Sequence, residues 1–443
     1  MRNVILSALV LLLSACASNE YPPYSWQSDL HHRLLCDFNK TPDEVKAYIS
    51  RYIPDVTDSQ VADWQASGAL ESMNIDGETR FFHNAAPNLF RTDSVCLAVK
   101  QAVEGNALSG AQRDDSTNIR QIMRAVADMP AGASPLACPK RMRVTYTLTV
   151  KADAVPTGQV VRCWLPFPRT DVVRQQSVSL LSPSEQKYRR SPSGAVHSTL
   201  YMEKKAVAGQ PTVFSETFEY TSYGAKYPIT AANCGSYNRS AALYKQFTAP
   251  RKRHIVFSPR LRSLAASITM GETNPFKQAQ LIFLWINGNF PWASAREYST
   301  IANIPEYVLD HRHGDCGQVS LLFITLCRIC GIPARFESGF MMHPHEQNLH
   351  DWAEVYFQNF GWVPVDQSFG VPAYAFNPDE KLFFCGGIDS WRMVVNSDFG
   401  RRLFPAKKFP RSETVDFQRG EVEWAGGNLY FDDWSYNLDV KYL

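Results

Sequence analysis

The feature that most limits what this chain can become is the run from Gly314-Asp315-Cys316-Gly317 to Gly331, apolar at nearly every position between Val319 and Ile329. A helix with one apolar stripe lies on a surface, whereas a helix that is hydrophobic all round has to be enclosed. The run is too short to span a bilayer, so it predicts the central helix of a globular core, closed by Gly331 as its C-terminal glycine. The flanking sequence offers the walls. Asn274 and Pro275 cap and open a helix whose stripe is Ala279, Ile282, Phe283 and Ile286, and Asn303 to Glu306 opens a shorter helix. After Gly331 the period becomes that of strands, at 334–340, 352–357 and 362–365.

Cys316 stands at the predicted start of the buried helix. Unsatisfied backbone N–H groups and the positive dipole end at such a position favour a thiolate and can cradle an oxyanion. A useful thiol nucleophile also needs a base. His350 opens the strand pattern His350-Asp351-Trp352-Ala353-Glu354-Val355-Tyr356, and Asp366 follows Gly361-Trp362-Val363-Pro364-Val365. Two antiparallel strands joined by the Asn359-Phe360-Gly361 turn would set His350 beside Asp366, a base next to the carboxylate that orients it. Arg335 and Glu354 read as a structural ion pair.

Taken together, Gly314-Asp315-Cys316, Gly331-Ile332-Pro333-Ala334-Arg335, His350 with Trp352 and Glu354, and Gly361-Trp362 before Asp366 resemble the core of the transglutaminase-like superfamily. The resemblance covers residues 258 to 370. It implies an α+β fold, a papain-like core in which a central helix packs on an antiparallel sheet, with a catalytic triad of Cys316, His350 and Asp366 and neither metal nor cofactor. It also implies an aromatic oxyanion donor upstream of the cysteine, for which Trp292 is preferred over Tyr298 and Trp285. One departure stands out. Many relatives carry a small residue after the histidine, and Asp351 in that place implies either a perturbed imidazole or a preference for cationic substrates.

The rest of the chain divides by its patterns. Residues 1–15 carry Arg2 and the apolar run Val4 to Leu13, a signal peptide. Leu13-Ser14-Ala15-Cys16 resembles a bacterial lipobox, with Cys16 as the lipidated residue and 16–27 as linker. Residues 28–138 read as mostly helical, with Thr41-Pro42-Asp43-Glu44 as a helix start, Asp76-Gly77 as a hairpin turn and Ser109 to Thr117 as a flexible loop. Residues 139–250 alternate in strand fashion, a β-sandwich, and 251–443 form the expected catalytic domain, in which the resemblance implies that the strand-rich remainder to residue 443 completes the family's antiparallel sheet.

A formal charge of +2 leaves no electrostatic footprint for nucleic acid. The ten cysteines show no small-domain disulfide spacing, and Cys327 with Cys330 reads as core packing. His311, His313, His343 and His345 form two H-x-H pairs that lack a convincing zinc ligand set. The expectation is a cysteine hydrolase held at the membrane of a bacterial cell envelope, a peptidase or amidase acting on a peptide, protein or peptidoglycan-peptide substrate. Amine transfer to protein glutamine and an inactive ligand-binding lipoprotein are the alternatives.

Overall fold

The computed structural model describes residues 24–130 and 132–443. The signal segment and Cys16 lie outside the described residues. Among those described, no helix is long and apolar enough to cross a membrane.

The central helix spans Cys316–Ile329, and every residue from Gly317 to Arg328 is buried. Gly331 follows at φ 76°, a left-handed conformation that costs glycine little. The helix packs on a four-stranded antiparallel sheet ordered Gly361–Val365, Glu346–Phe357, Ala334–His343, Arg392–Ser397. Ala334, Phe336, Ala353 and Val355 of that sheet share one core with Leu321, Phe323 and Leu326 of the helix and with the predicted stripe Ala279, Ile282, Phe283 and Ile286. The fold is therefore α+β, with the enclosed helix where its all-round hydrophobicity requires.

Two five-stranded antiparallel sheets form the sandwich. One orders Gly387–Ile388, Thr212–Lys226, Leu136–Val150 and Trp434–Tyr442, with Gln175–Pro183 also pairing Thr212–Lys226. The other orders Gly427–Leu429, Glu421–Trp424, Val160–Pro166, Thr199–Lys205 and Tyr188–Arg190. Their shared core takes in Phe340, Met342, Met393 and Val395 of the four-stranded sheet. The sheet that carries His350 is thus buried on both sides, by the central helix and by the sandwich.

Two expectations need correction. The remainder to residue 443 completes the four-stranded sheet only in part: Arg392–Ser397 joins it, whereas the strands beyond Glu421 do not. Trp434 pairs with Val150 and Tyr442 with Met142, and Val422 pairs with Cys163. Alternation announces a strand but not its partner, which is set by distant sequence. Nor is Ser109 to Thr117 a loop. Ser109 caps the helix Gly110–Ala127 through a capping box with Gln112, and the helix docks on the turn of the histidine hairpin. Ala111 N–H donates to Glu346 at 3.0 Å, and Asp115 meets His343 at 3.0 Å. The Asp76-Gly77 hairpin and the helix start at Thr41 stand as expected, and Glu44 completes a capping box with Thr41.

Gly339 shows how tightly the catalytic sheet is built. It faces His350 on one side and Val394 on the other, and a Cβ there would lie 1.9 Å from the Met393 carbonyl oxygen, backbone that cannot yield. Gly339→Ala should therefore lower the stability measured by denaturant unfolding by about 2 kcal/mol or more. Gly427→Ala, where a Cβ meets nothing within 4 Å, should change it by less than about 0.5 kcal/mol.

Candidate functional site

Asp315 fixes the start of the central helix. Its carboxylate accepts from Gln318 N–H at 3.0 Å, and the Gln318 side-chain oxygen accepts from Asp315 N–H at 3.2 Å, a reciprocal cap. The Tyr298 hydroxyl donates to the same carboxylate at 2.7 Å. Cys316 is the first helical residue and is half-buried. Gly317 is small by necessity, since a Cβ there would lie 2.2 Å from the Tyr298 hydroxyl and 2.6 Å from Asp351 Oδ2.

The antiparallel pairing sets Ala353 against Val365, which brings Asp366 back to the buried His350. His350 Nε2 and Asp366 Oδ2 are 2.7 Å apart. An ionised carboxylate on Nε2 assigns the ring proton there and leaves Nδ1 as the acceptor nitrogen. The other Asp366 oxygen accepts from the backbone of Ser368 and Phe369 at 3.2 and 3.0 Å, and Arg392 Nη1 lies 2.8 Å from Oδ2. Burial alone would raise this carboxyl, but the imidazole and the guanidinium hold it down at about 2. Burial also takes the His350 imidazole below its ordinary value despite Asp366.

Arg392 extends the charge chain. Its Nε donates to Asp389 Oδ2 at 2.6 Å, while Asp389 Oδ1 lies 3.5 Å from His343 Nε2. Asp115, from the docked helix, takes the same histidine nitrogen at 3.0 Å. Burial would lower His343, but the two flanking carboxylates prevail and raise it. This cluster combines His343 and the Arg392 guanidinium with the carboxyls of Asp115, Asp366 and Asp389, of which burial and Asp389 raise Asp115 to about 7. His345 pairs with Asp114 at 2.6 Å, and His311 stacks on Tyr307 with His313 beside it, so the two H-x-H pairs do not converge.

Cys316 and His350 line one cavity of about 260 Å³, together with Trp292, Phe369 and the helix-start residues Ser109, Ala111 and Gln112. Within it the thiol does not hydrogen-bond to the imidazole. Sγ donates instead to Asp351 Oδ2 at 3.5 Å, and Gln418 holds the other Asp351 oxygen at 2.9 Å. Burial, then the charges of Asp351 and Asp315, push the thiol well above its ordinary value, the reverse of what a helix start alone predicts. The Asp351 carboxyl is itself raised by burial and by Asp315. The resting site therefore favours a neutral thiol.

Trp292 lies at the rim, 46% exposed, held beside Gly314 by backbone bonding and covered by Arg91. Tyr298 is committed to Asp315, and Trp285 packs on Phe290 away from the cavity. Arg335 Nε donates to Glu354 at 2.6 Å, the expected ion pair. Sequence reasoning missed Arg392, Gln418 and the docked helix. Each reaches the site across a long sequence separation with no local motif, although the Ser109/Gln112 capping box was legible.

The comparisons with known proteins bear on this segment. Residues 262–367 match the transglutaminase-like superfamily. An uncharacterized protein of Bacillus subtilis, YebA, is 26% identical over 142 residues, covering 28% of this chain and 19% of its own length. An uncharacterized protein of Haemophilus influenzae is 29% identical over 142 residues, covering 26% and 37%. The matched stretch thus spans well under half of either relative. Among solved structures, a candidate cysteine protease from Cytophaga hutchinsonii is 14% identical with a TM-score of 0.43, covering 70% of this chain and 92% of that one. The periplasmic domain of TgpA from Pseudomonas aeruginosa is 16% identical with a TM-score of 0.29, covering 57% and 91%. Those scores are too low to argue from, so the assignment rests on the family match together with the enclosed helix on its antiparallel sheet. Residues 262–367 are similar to the transglutaminase-like superfamily core, and the likeness extends to that segment of the chain.

Proposed function

We propose that the chain is an acyl-enzyme catalyst that hydrolyses amide bonds of peptides or cell-wall peptides, tethered to the bacterial envelope through lipidated Cys16. The observation that carries this reading is the shared cavity of Cys316 and His350, with Asp366 on Nε2 and Nδ1 left to accept a proton.

From the resting state, rotation of the Cys316 side chain away from Asp351 brings Sγ to His350. Nδ1 takes the thiol proton, Sγ attacks the amide carbonyl, and the tetrahedral oxyanion is met by the Cys316 N–H at the helix start. Trp292, which lines the same cavity at its rim, supplies a second donor in this reading. The C–N bond breaks as His350 returns the proton to the leaving amine. Water then attacks the thioester, giving its proton to His350, and releases the acid and the thiol. Asp366 and Arg392 hold the imidazole in one tautomer throughout, positioning it rather than exchanging protons with it.

Iodoacetamide should label Cys316 in the folded chain, and His350→Ala should slow amide turnover by about 10²-fold or more. A Cys316 that stays unlabelled would sink the enzyme reading. Because Asp351 disfavours the thiolate, Asp351→Asn should move the pH profile of Cys316 alkylation to lower pH. An unchanged profile would show that the carboxyl does not control the thiol. Cys16→Ser should shift the chain from the membrane fraction to the soluble fraction of the expressing bacterium, and retention at the membrane would refute the lipid tether.

A further inference from the structure

A second cavity, of about 270 Å³, opens on the other side of Cys316 and is lined by Asp351 rather than His350. The two cavities share Trp292, Cys316, Asn348 and Leu349. Their division has a chemical meaning under the proposed reaction, on which this inference rests. His350 must return its proton to the departing nitrogen, so the leaving group lies in the cavity that His350 lines. The acyl half of the substrate then enters the second cavity.

That cavity is short of positive charge. Glu297, Asp315, Asp351, Glu413 and Asp416 line it against two guanidiniums, Arg296 and Arg419. Arg296 is turned to Glu71 at 3.5 Å and lies against Phe38 and Tyr307. The Arg419 guanidinium is consumed, bonded to Glu297 at 2.7 and 2.8 Å and to Glu413 at 2.8 Å, and stacked on Phe431. Asp315 is answered by the helix start and Tyr298, and Asp351 by Gln418 and the thiol. Asp416 differs. It is only 7% exposed and lines the cavity, and among the described residues no hydrogen bond or ion pair reaches its carboxylate. Burial and the negative charges of Glu413 and Asp351 raise this carboxyl well above the usual range, outweighing the pull of the Arg419 guanidinium.

The geometry points to an ammonium site: we propose that the second cavity, through Asp416 and Asp351, binds a protonated amine on the acyl half of the substrate, next to the scissile carbonyl. A metal ion suits the place less well. Among the described residues, three ligand atoms come within 4.8 Å of one another at Asp115, His343 and Asp389 and at His32, Cys36 and Asp432, not here. At about 270 Å³ the cavity lies below the ~300 Å³ at which pockets for drug-sized ligands begin, so it admits the end of a chain. The acidic residue after the catalytic histidine thereby gains a role in selecting the acyl group.

The test uses the full chain and two alkylating probes, alanine chloromethyl ketone and its des-amino analogue, chloromethyl ethyl ketone. In both, Sγ bonds to the methylene carbon as the C–Cl bond breaks, chloride leaves, and the thiol proton passes to His350. Each rate, followed by mass spectrometry of the Cys316 peptide, is divided by that for N-acetylcysteine to remove intrinsic reactivity. Below the pKa of the amine, the amino reagent should be favoured by about tenfold or more. That ratio should fall toward unity in Asp416→Asn, and in the unaltered chain as the pH rises past the amine's pKa. The second measurement stands even if the variant fails to fold. A ratio near unity in the unaltered chain, or one that survives both changes, overturns the ammonium site. Iodoacetamide separates the two claims: labelling by iodoacetamide without discrimination rejects only this inference, whereas no labelling by any of the three reagents rejects the nucleophile reading as well.

Discussion

The buried guanidinium of Arg392 is the contact on which the site depends. It sits between Asp366 and Asp389, all three nearly inaccessible to water, with Phe369 and Trp352 against its faces. Removing such charges from water costs several kcal/mol per ion, and the loss is recovered only where partners satisfy them closely. Here each carboxylate has a second cationic or N–H partner, so the cluster persists as a unit. Taking Arg392 away would leave Asp366 and Asp389 facing each other in a dry interior. His350 would then lose the fixed anion that sets its tautomer. The strand Arg392–Ser397, paired to Ala334–His343, delivers the cation that lets a carboxylate be buried behind the histidine.

The same electrostatics explain why the thiol rests neutral. A helix start contributes about half a positive charge, enough to favour an anion by roughly 0.3–1 kcal/mol in exposed settings. At Cys316 that field has already been used by Asp315, whose carboxylate takes the Gln318 N–H, and Asp351 adds a second acidic group on the thiol itself. Two carboxyls against one helix dipole leave the thiolate disfavoured until something changes the balance. A cation brought in by the substrate would do so, since it lowers the cost of negative charge at Asp416, Asp351 and Sγ together. Nucleophile activation and substrate recognition would then draw on one field.

What the sequence revealed and what it hid follow a single physical line. The central helix, the Asp76-Gly77 turn, the caps at Thr41 and Asn274 and the register that sets His350 beside Asp366 are encoded within short windows, where periodicity, capping chemistry and one hairpin determine the outcome. Arg392, Gln418 and Asp416 have no such local grammar. They come from segments whose only instruction is a partner far away along the chain. The Gly110–Ala127 helix is intermediate, because its capping box was readable in Ser109 and Gln112, yet a stretch rich in Ser, Gly, Asp and Asn is equally at home in a turn. Docking on the histidine hairpin decides between the two. The elevated thiol was hidden for a related reason: a helix start is visible in sequence, whereas the carboxyl that opposes it becomes a neighbour only when strand and helix pack.

The path of the chain ties its layers together. It runs from the helical region into the sandwich, out to form the core, and back to place Trp434–Tyr442 beside Leu136–Val150. A cut near residue 250 would strip the sandwich of its edge strand and of Glu421–Trp424, and would leave the catalytic sheet with Phe340, Met342, Met393 and Val395 facing water. It would also remove Asp115, stranding His343 beside Asp389. The transglutaminase-like core is therefore not a separable module in this chain. Cys316, His350 and the acidic cavity beside them are held in place by segments that precede and follow it.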